Sequence, residues 1–342
     1  MSIFTSLRRF GPALALLCTA LSTVSAASGA VPSGKESSDM KMPAPLQENI
    51  TPFFSTSTKI ADVTADPAFK GFGRFLFPLQ RGYWSGSTLG TLSLVWYSEI
   101  DPQKTVEIVN TLKNRALAGQ KVFFDIYTEA EKAADPAKRG TGLFFFRGRP
   151  GAPFAVCCAG GGFAYVGAMH DSFPHALELS KMGYNAFAVI YRPGAQTACE
   201  DLARALSFIF GHAAELGVDT SGYSLWGGSA GARMAAWVGS YGPGAFGGGG
   251  LPRPAAVIMQ YTGYSEISRS DPPTYACVGS ADGIAPWQAM QQRLEALKKL
   301  GTDTGFHVYP GLHHGFGLGT GTAAEGWLRD AAAFWARHRK NS

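Results

Sequence analysis

Within "YSLWGGSAGARMAAWV", residues 223–238, a Gly-x-Ser-x-Gly pattern centres on Ser229. In a chain with 43 glycines among 342 residues the pattern alone carries little weight, so its flanks must decide. An apolar, strand-like run precedes Ser229 and a helix-like run follows. A sharp strand-to-helix turn of that kind holds a serine hydroxyl above a sheet. Gly227, Ala230 and Gly231 are small enough for the crowding that such a turn brings. The first N–H groups of the following helix would lie near Ser229 and favour negative charge developing there. Ser229 is therefore a candidate nucleophile, provided that a base takes its proton and an acid orients the base.

Seven histidines compete for the role of base. His170 and His175 follow a glycine loop, His212 sits on a polar helical stretch, His307 lies within a strand-like run, and His338 is close to the C-terminus. His313 and His314 fall in "YPGLHHGFG", a loop after the last strand, and His314, followed by Gly-Phe, is preferred over His313. The orienting acid is expected between serine and histidine in chain order, at the end of a strand. Asp282 of "TYACVGSADGIAP" meets both conditions, whereas Asp271 precedes that strand and belongs to the other end of the sheet. Upstream, "FAVCCAGGGFAYVG" leads a strand into Gly160-Gly161-Gly162, where backbone N–H groups can approach a substrate oxygen. The glycine run at 242–250 has no such strand before it.

These residues need elements to hold them. From 119 on, short apolar runs alternate with helix-length stretches: "FAVCCAG", a helix near 171–182, "AFAVIYR", a helix near 198–216, "YSLWG", a helix from 230, "AAVIMQY", "TYACVGS", a helix near 286–300, "FHVYPG" and a helix near 323–338. "KVFFDIYT" and "TGLFFFRG" read as an opening strand pair. Strands apolar on both faces and alternating with helices predict an α/β class fold, a mostly parallel sheet covered on both sides. Its chemistry belongs in the loops at the strands' C-terminal ends.

The ordered set "AGGGF", "IYRPG", "GGSAG", "GSADGIAP" and "HHGFG" over 119–342 resembles the α/β-hydrolases of the acetyl-esterase and hormone-sensitive-lipase-like branch. The resemblance implies the α/β-hydrolase fold and a cofactor-free serine esterase with Ser229, Asp282 and His314 as triad. It also implies an oxyanion hole from Gly161, Gly162 and Ala230, and short acyl groups, acetyl on a carbohydrate included. Ala159 stands where the family has the histidine of its His-Gly-Gly-Gly loop, a departure that bears on how the loop is braced. Trp84, Phe163, Tyr165 and Tyr261 are the aromatics available for an aromatic acyl pocket or for the core. A serine peptidase of the prolyl-oligopeptidase type shares the triad, but the residues before 119 are too few for its β-propeller. A non-catalytic binding protein on the same fold would be expected to lack a triad member.

The N-terminus, with Arg8 and Arg9, an apolar stretch and Val24-Ser25-Ala26, reads as an export signal over 1–26. Periplasmic or secreted placement follows, with Sec and twin-arginine routes both open. Residues 27–58, rich in Ser, Pro, Thr and Lys, read as a tether. Residues 59–118, with a helix-like "TVEIVNTLKNRALAG", read as an extension packing on the core, by position a lid. Net charge is +5 with no basic–aromatic run, which argues against nucleic acid, and the mature part has no apolar stretch long enough for a membrane span. No Cys-x-x-Cys or His-Glu-x-x-His is present, so no metal site is expected. Cys157, Cys158 and Cys277 lie in apolar, strand-like runs, and with Cys199 they leave disulfide pairing open in an exported chain. The expected partner is a small-molecule or carbohydrate ester.

Overall fold

The computed structural model describes residues 42–339; the leader expected over 1–26 and the first part of the expected tether lie outside the described residues. Eight strands form the main sheet: β1 Phe123–Phe124, β2 Gly142–Phe146, β3 Pro153–Cys158, β4 Asn185–Ile190, β5 Asp219–Gly228, β6 Ala256–Gln260, β7 Thr274–Gly279 and β8 Thr304–Tyr309. Their order across the sheet is β8-β7-β6-β5-β3-β4-β2-β1. β1 with β2 and β2 with β4 are antiparallel, and every other pair is parallel. Every residue of β2, β3, β4, β6 and β7 is buried, as a sheet covered on both faces requires. β8, at one edge, is only partly covered.

Six helices of nine or more residues are found among the described residues: α1 Pro102–Leu117, α2 Phe173–Lys181, α3 Ala195–Gly211, α4 Ala230–Tyr241, α5 Trp287–Lys299 and α6 Trp327–His338. The helix expected near 171–182 is broken: a short turn Ala168–Asp171 precedes α2, which has Pro174 in its first turn. The stretch 198–216 likewise divides into α3 and a separate turn Ala213–Leu216. The opening strand pair is shorter than its sequence run. The chain leaves the sheet after Phe124 because Thr128 caps a short helix Glu129–Ala134 in a reciprocal capping box with Glu131.

The segment before the sheet shares the hydrophobic core with it, through Ile60, Val63, Phe69, Leu76, Leu89, Leu94, Ile108 and Leu112. α1 starts at Asp101, whose carboxylate accepts from the N–H groups of Gln103 and Lys104 ahead of Pro102. Its buried Asn110 exchanges two hydrogen bonds with the backbone of Phe54, at 2.9 and 3.0 Å. Residues 44–58, inside the stretch expected as a tether, are thus held against the body. Leu46 N–H donates to Lys181 O at 2.8 Å, Arg149 donates to Pro45 O at 2.9 Å, and Glu48 pairs with buried Arg115 at 3.0 Å. Polar composition disguises this segment, because its partners are backbone groups and side chains remote in sequence. A two-stranded antiparallel ribbon, Trp84–Ser85 with Ser93–Leu94, leads into the loop 95–98. No helix among the described residues is long and apolar enough to cross a membrane.

Candidate active site

Ser229 is the single residue between the end of β5 and the first residue of α4. Its backbone has φ 52° and ψ −117°, a conformation that residues with a side chain rarely adopt and that costs on the order of 1–3 kcal/mol. The surrounding packing holds it there. A Cβ on Gly231 would lie 2.0 Å from the carbonyl oxygen of Cys158, so α4 can start this close to the end of β3 only with glycine at that position. Ser229 N–H is tied to Gln260 O of β6 at 3.0 Å.

His314, 6% exposed, reaches Ser229 from the loop after β8: its Nε2 is 3.0 Å from Ser229 Oγ. Its Nδ1 is 2.8 and 3.1 Å from the two carboxylate oxygens of Asp282, which follows β7. A carboxylate only accepts from an imidazole N–H, so Nδ1 carries the proton and the Nε2 lone pair faces the serine hydroxyl. The Asp282 side chain is fully buried and also accepts from the N–H groups of Ile284 and Ala285, at 2.8 and 2.7 Å. Two backbone N–H groups therefore hold the carboxylate in place while the single Nδ1–H is shared between its oxygens. His313 is exposed and turned to Ala281 O at 3.1 Å. Asp271, ahead of β7, is spent in a buried ion pair with Arg293 at 2.7 Å.

The glycine loop after β3 comes beside the serine. Gly162 and Ala230 line the same cavity as Ser229 and His314; Gly161 is buried and does not. Gly161 has φ +120°, and a Cβ there would lie 2.3 Å from Tyr165 O, so the loop can turn this tightly only with glycine. The N–H groups of Gly161, Gly162 and Ala230 donate to no protein acceptor among the described residues. For Ala230, the first residue of α4, that is the ordinary state of a helix N-terminus.

Ala159, where the resembling family has a histidine, leaves the bracing of this loop to a residue that sequence reasoning missed. Asp171 is completely buried, and its carboxylate accepts from Gly160 N–H at 2.5 Å, from Tyr97 O–H at 2.9 Å and from Tyr261 O–H. Burial first, and the Asp171 charge second, push both phenols well above their ordinary pKa, so both remain donors. Tyr97 belongs to the loop 95–98, which crosses the site as a strap. Trp96 lies against Gly162, within 2.9 Å of where a Cβ would be. Ser98 donates through Oγ to His314 O at 2.8 Å and through N–H to Gly315 O at 3.2 Å. Buried His170 donates through Nε2 to the same Gly315 carbonyl at 2.8 Å. The glycine loop and the histidine loop are thus joined by one segment of the N-terminal extension.

The cavity over Ser229 measures about 200 Å³ and is lined by Phe163, Arg233, Tyr261, Thr262, Ile284 and Ala285 besides the residues above. Of the four aromatics singled out in the sequence, Phe163 and Tyr261 face it. Tyr165 is buried with its hydroxyl on Val95 O, and Trp84 stacks on Phe77 at 6.1 Å. A larger cavity of about 770 Å³ lies at the opposite end of the strands, among the first residues of β5 and those that lead into β6, β7 and β8, with no serine–histidine pair. Its position at the strands' N-terminal ends separates it from this chemistry. All four cysteines of the described residues are free and buried.

Residues 147–244 match the BD-FAE family model, a span that contains the glycine loop and Ser229 and ends before Asp282. No curated protein sequence matches the chain. Among solved structures, it is similar to an acetyl ester-xyloside bifunctional hydrolase from Caldicellulosiruptor lactoaceticus, at 22% identity and TM-score 0.56 over 63% of this chain and 95% of the other. Thermogutta terrifontis esterase 2, in a form phosphoramylated by tabun, aligns at 22% identity and TM-score 0.51, covering 58% of this chain and 89% of the other. An α/β hydrolase enzyme, MGS-M1, from a Medee basin deep-sea metagenome library aligns at 19% identity and TM-score 0.51, over 59% and 93%. With this strand order, the strand–serine–helix turn and these neighbours, the chain has the α/β-hydrolase fold.

Proposed function

We propose that the protein is a serine hydrolase of carboxylic esters with short acyl groups, exported from the cytoplasm by its N-terminal leader. The observation that carries the reading is the continuous hydrogen-bond chain Ser229–His314–Asp282, at 3.0 and 2.8 Å, beside amides that have no protein acceptor among the described residues. Ser229 Oγ attacks the ester carbonyl while His314 Nε2 takes its proton, and Asp282 stabilises the resulting imidazolium. The carbonyl oxygen becomes an oxyanion, received in this reading by the N–H groups of Gly162 and Ala230, with Gly161 beside them. Collapse breaks the bond to the alcohol, which leaves with the proton from His314. Water then attacks the acyl-enzyme, gives a proton to His314, and Ser229 recovers it as the acid departs.

The cavity size supports short acyl groups, since about 200 Å³ falls below the roughly 300 Å³ of the smallest drug-sized sites. Acetyl on a carbohydrate fits that limit and agrees with the named activity of the Caldicellulosiruptor neighbour.

The test is a series of p-nitrophenyl esters from acetate to octanoate, run beside aminoacyl p-nitroanilides, on the protein and on Ser229→Ala. Hydrolysis should be fastest for the shortest acyl chains and fall by at least three orders of magnitude in Ser229→Ala, with folding retained. Full activity in that variant, or turnover of the anilides alone, would overturn the proposal.

A further inference from the structure

Arg233 lies one helical turn after Ser229 on α4 and lines the same cavity of about 200 Å³ as Ser229 and His314. Side chains on a helix lean towards its N-terminus, so an arginine at this position leans back towards the serine. It is half-buried, and among the described residues its guanidinium meets no carboxylate and donates no hydrogen bond; it lies 5.9 Å from the Trp237 ring. Half-buried Arg147 donates to Leu216 O at 3.1 Å, and the three buried arginines are paired with acids. Arg115, Arg192 and Arg293 each hold a carboxylate at 2.7–3.0 Å.

No acid among the described residues is placed to neutralise it. The cavity lining contains no Asp or Glu. Asp282 is engaged by His314 and two N–H groups, and Asp171 by Gly160, Tyr97 and Tyr261. Glu266 accepts from Trp237 at 3.4 Å, Tyr241 at 3.2 Å and Tyr264 at 3.4 Å. The N-terminus of α4 adds further positive potential at the same place. A partly desolvated, unpaired guanidinium is costly, and its planar fork of donors matches a carboxylate.

We propose that Arg233 binds an ionised carboxylate carried by the substrate, so that the site prefers esters bearing a second, acidic group over neutral esters of the same size. This rests on the ester-hydrolase reading above. The acid can belong to the acyl part, as in a half-ester of a dicarboxylic acid, or to the leaving part, as in an acetylated hydroxy acid.

Two matched pairs separate these sources: mono-p-nitrophenyl succinate against p-nitrophenyl butyrate, and 4-acetoxybenzoate against its methyl ester. In at least one pair, the anionic-to-neutral ratio of kcat/KM should fall about ten- to hundredfold in Arg233→Gln, the range of one charge-assisted hydrogen bond. Arg233→Lys should restore part of it, and the wild-type preference should shrink as salt is raised. The responding pair identifies the side. Ratios unchanged in both pairs, or both members of each pair falling equally, would overturn the proposal.

Failure of the hydrolase reading shows separately, as no Ser229-dependent turnover of any neutral ester. The carboxylate site is then read without chemistry, by calorimetry of monomethyl succinate binding to Ser229→Ala with and without Arg233→Gln. Equal binding by the two proteins rejects the site.

Discussion

Asp171 illustrates how a single carboxylate can govern a site without touching substrate. It lies outside the serine–histidine–aspartate line, yet it receives the N–H of the first loop glycine and the hydroxyls of Tyr97 and Tyr261. An asparagine there offers one acceptor oxygen in place of two and turns the other position into a donor, which leaves at least one of the three donors facing a donor. Asp171→Asn is expected to lower kcat on p-nitrophenyl acetate about tenfold or more, with KM little changed, because in the proposed mechanism the loop amides act on the transition state more than on the bound ester. A kcat within twofold of the parent would show that the loop holds its geometry without this brace. Asp171 was hidden in the sequence because it sits in an apolar stretch, "GAMHDSF", with nothing local to pair it to.

At the scale of elements, the turn between β5 and α4 depends on backbone approach more than on side-chain contact. The start of α4 rests on the end of β3 through Gly231, and a Cβ at Gly227 would meet the Gly231 backbone at 2.3 Å. Gly231→Ala must push α4 off the sheet, since the nearest atoms are backbone carbonyls that cannot rotate away. The expected result is a large fall in Tm together with loss of esterase activity, read by thermal unfolding and p-nitrophenyl acetate turnover. Retention of both would mean that the helix can shift without moving Ser229. The strap 95–98 is the complementary element: its Tyr97 packs against the core and it ties His314 O and Asp171 together, so the N-terminal extension braces the loops of the site.

Over the whole molecule, stability should depend on pH through buried histidines. His170 and His175 are both buried, and burial is the main cause that pushes each below the ordinary value of 6.5. Below pH 6.5 the unfolded chain takes up protons that these folded sites resist, so their contribution is present above that pH and lost as pH falls through the window beneath it. Tm should therefore drop between pH 7 and pH 5, and His175→Phe should flatten the slope. A Tm that stays constant over that interval would show that these sites accept protons in the folded state.

By itself the sequence determined the alternation of strands and helices, the turn around Ser229 and the strand-end positions of Asp282 and His314. Those features are local: they follow from hydrophobic period, small residues at a crowded turn and the order of elements along the chain. The structure brings the three side chains to hydrogen-bond distance. Only tertiary structure decided how the loops are braced and what lines the cavity. Tyr97 meets Asp171 across 74 residues and Ser98 meets His314 across 216, separations at which no pattern in a window of sequence marks the partner. The same holds for residues 44–58, whose polar composition reads as a tether until their backbone partners are known, and for Arg233, whose lack of a counter-ion among the described residues is a property of the packed surroundings.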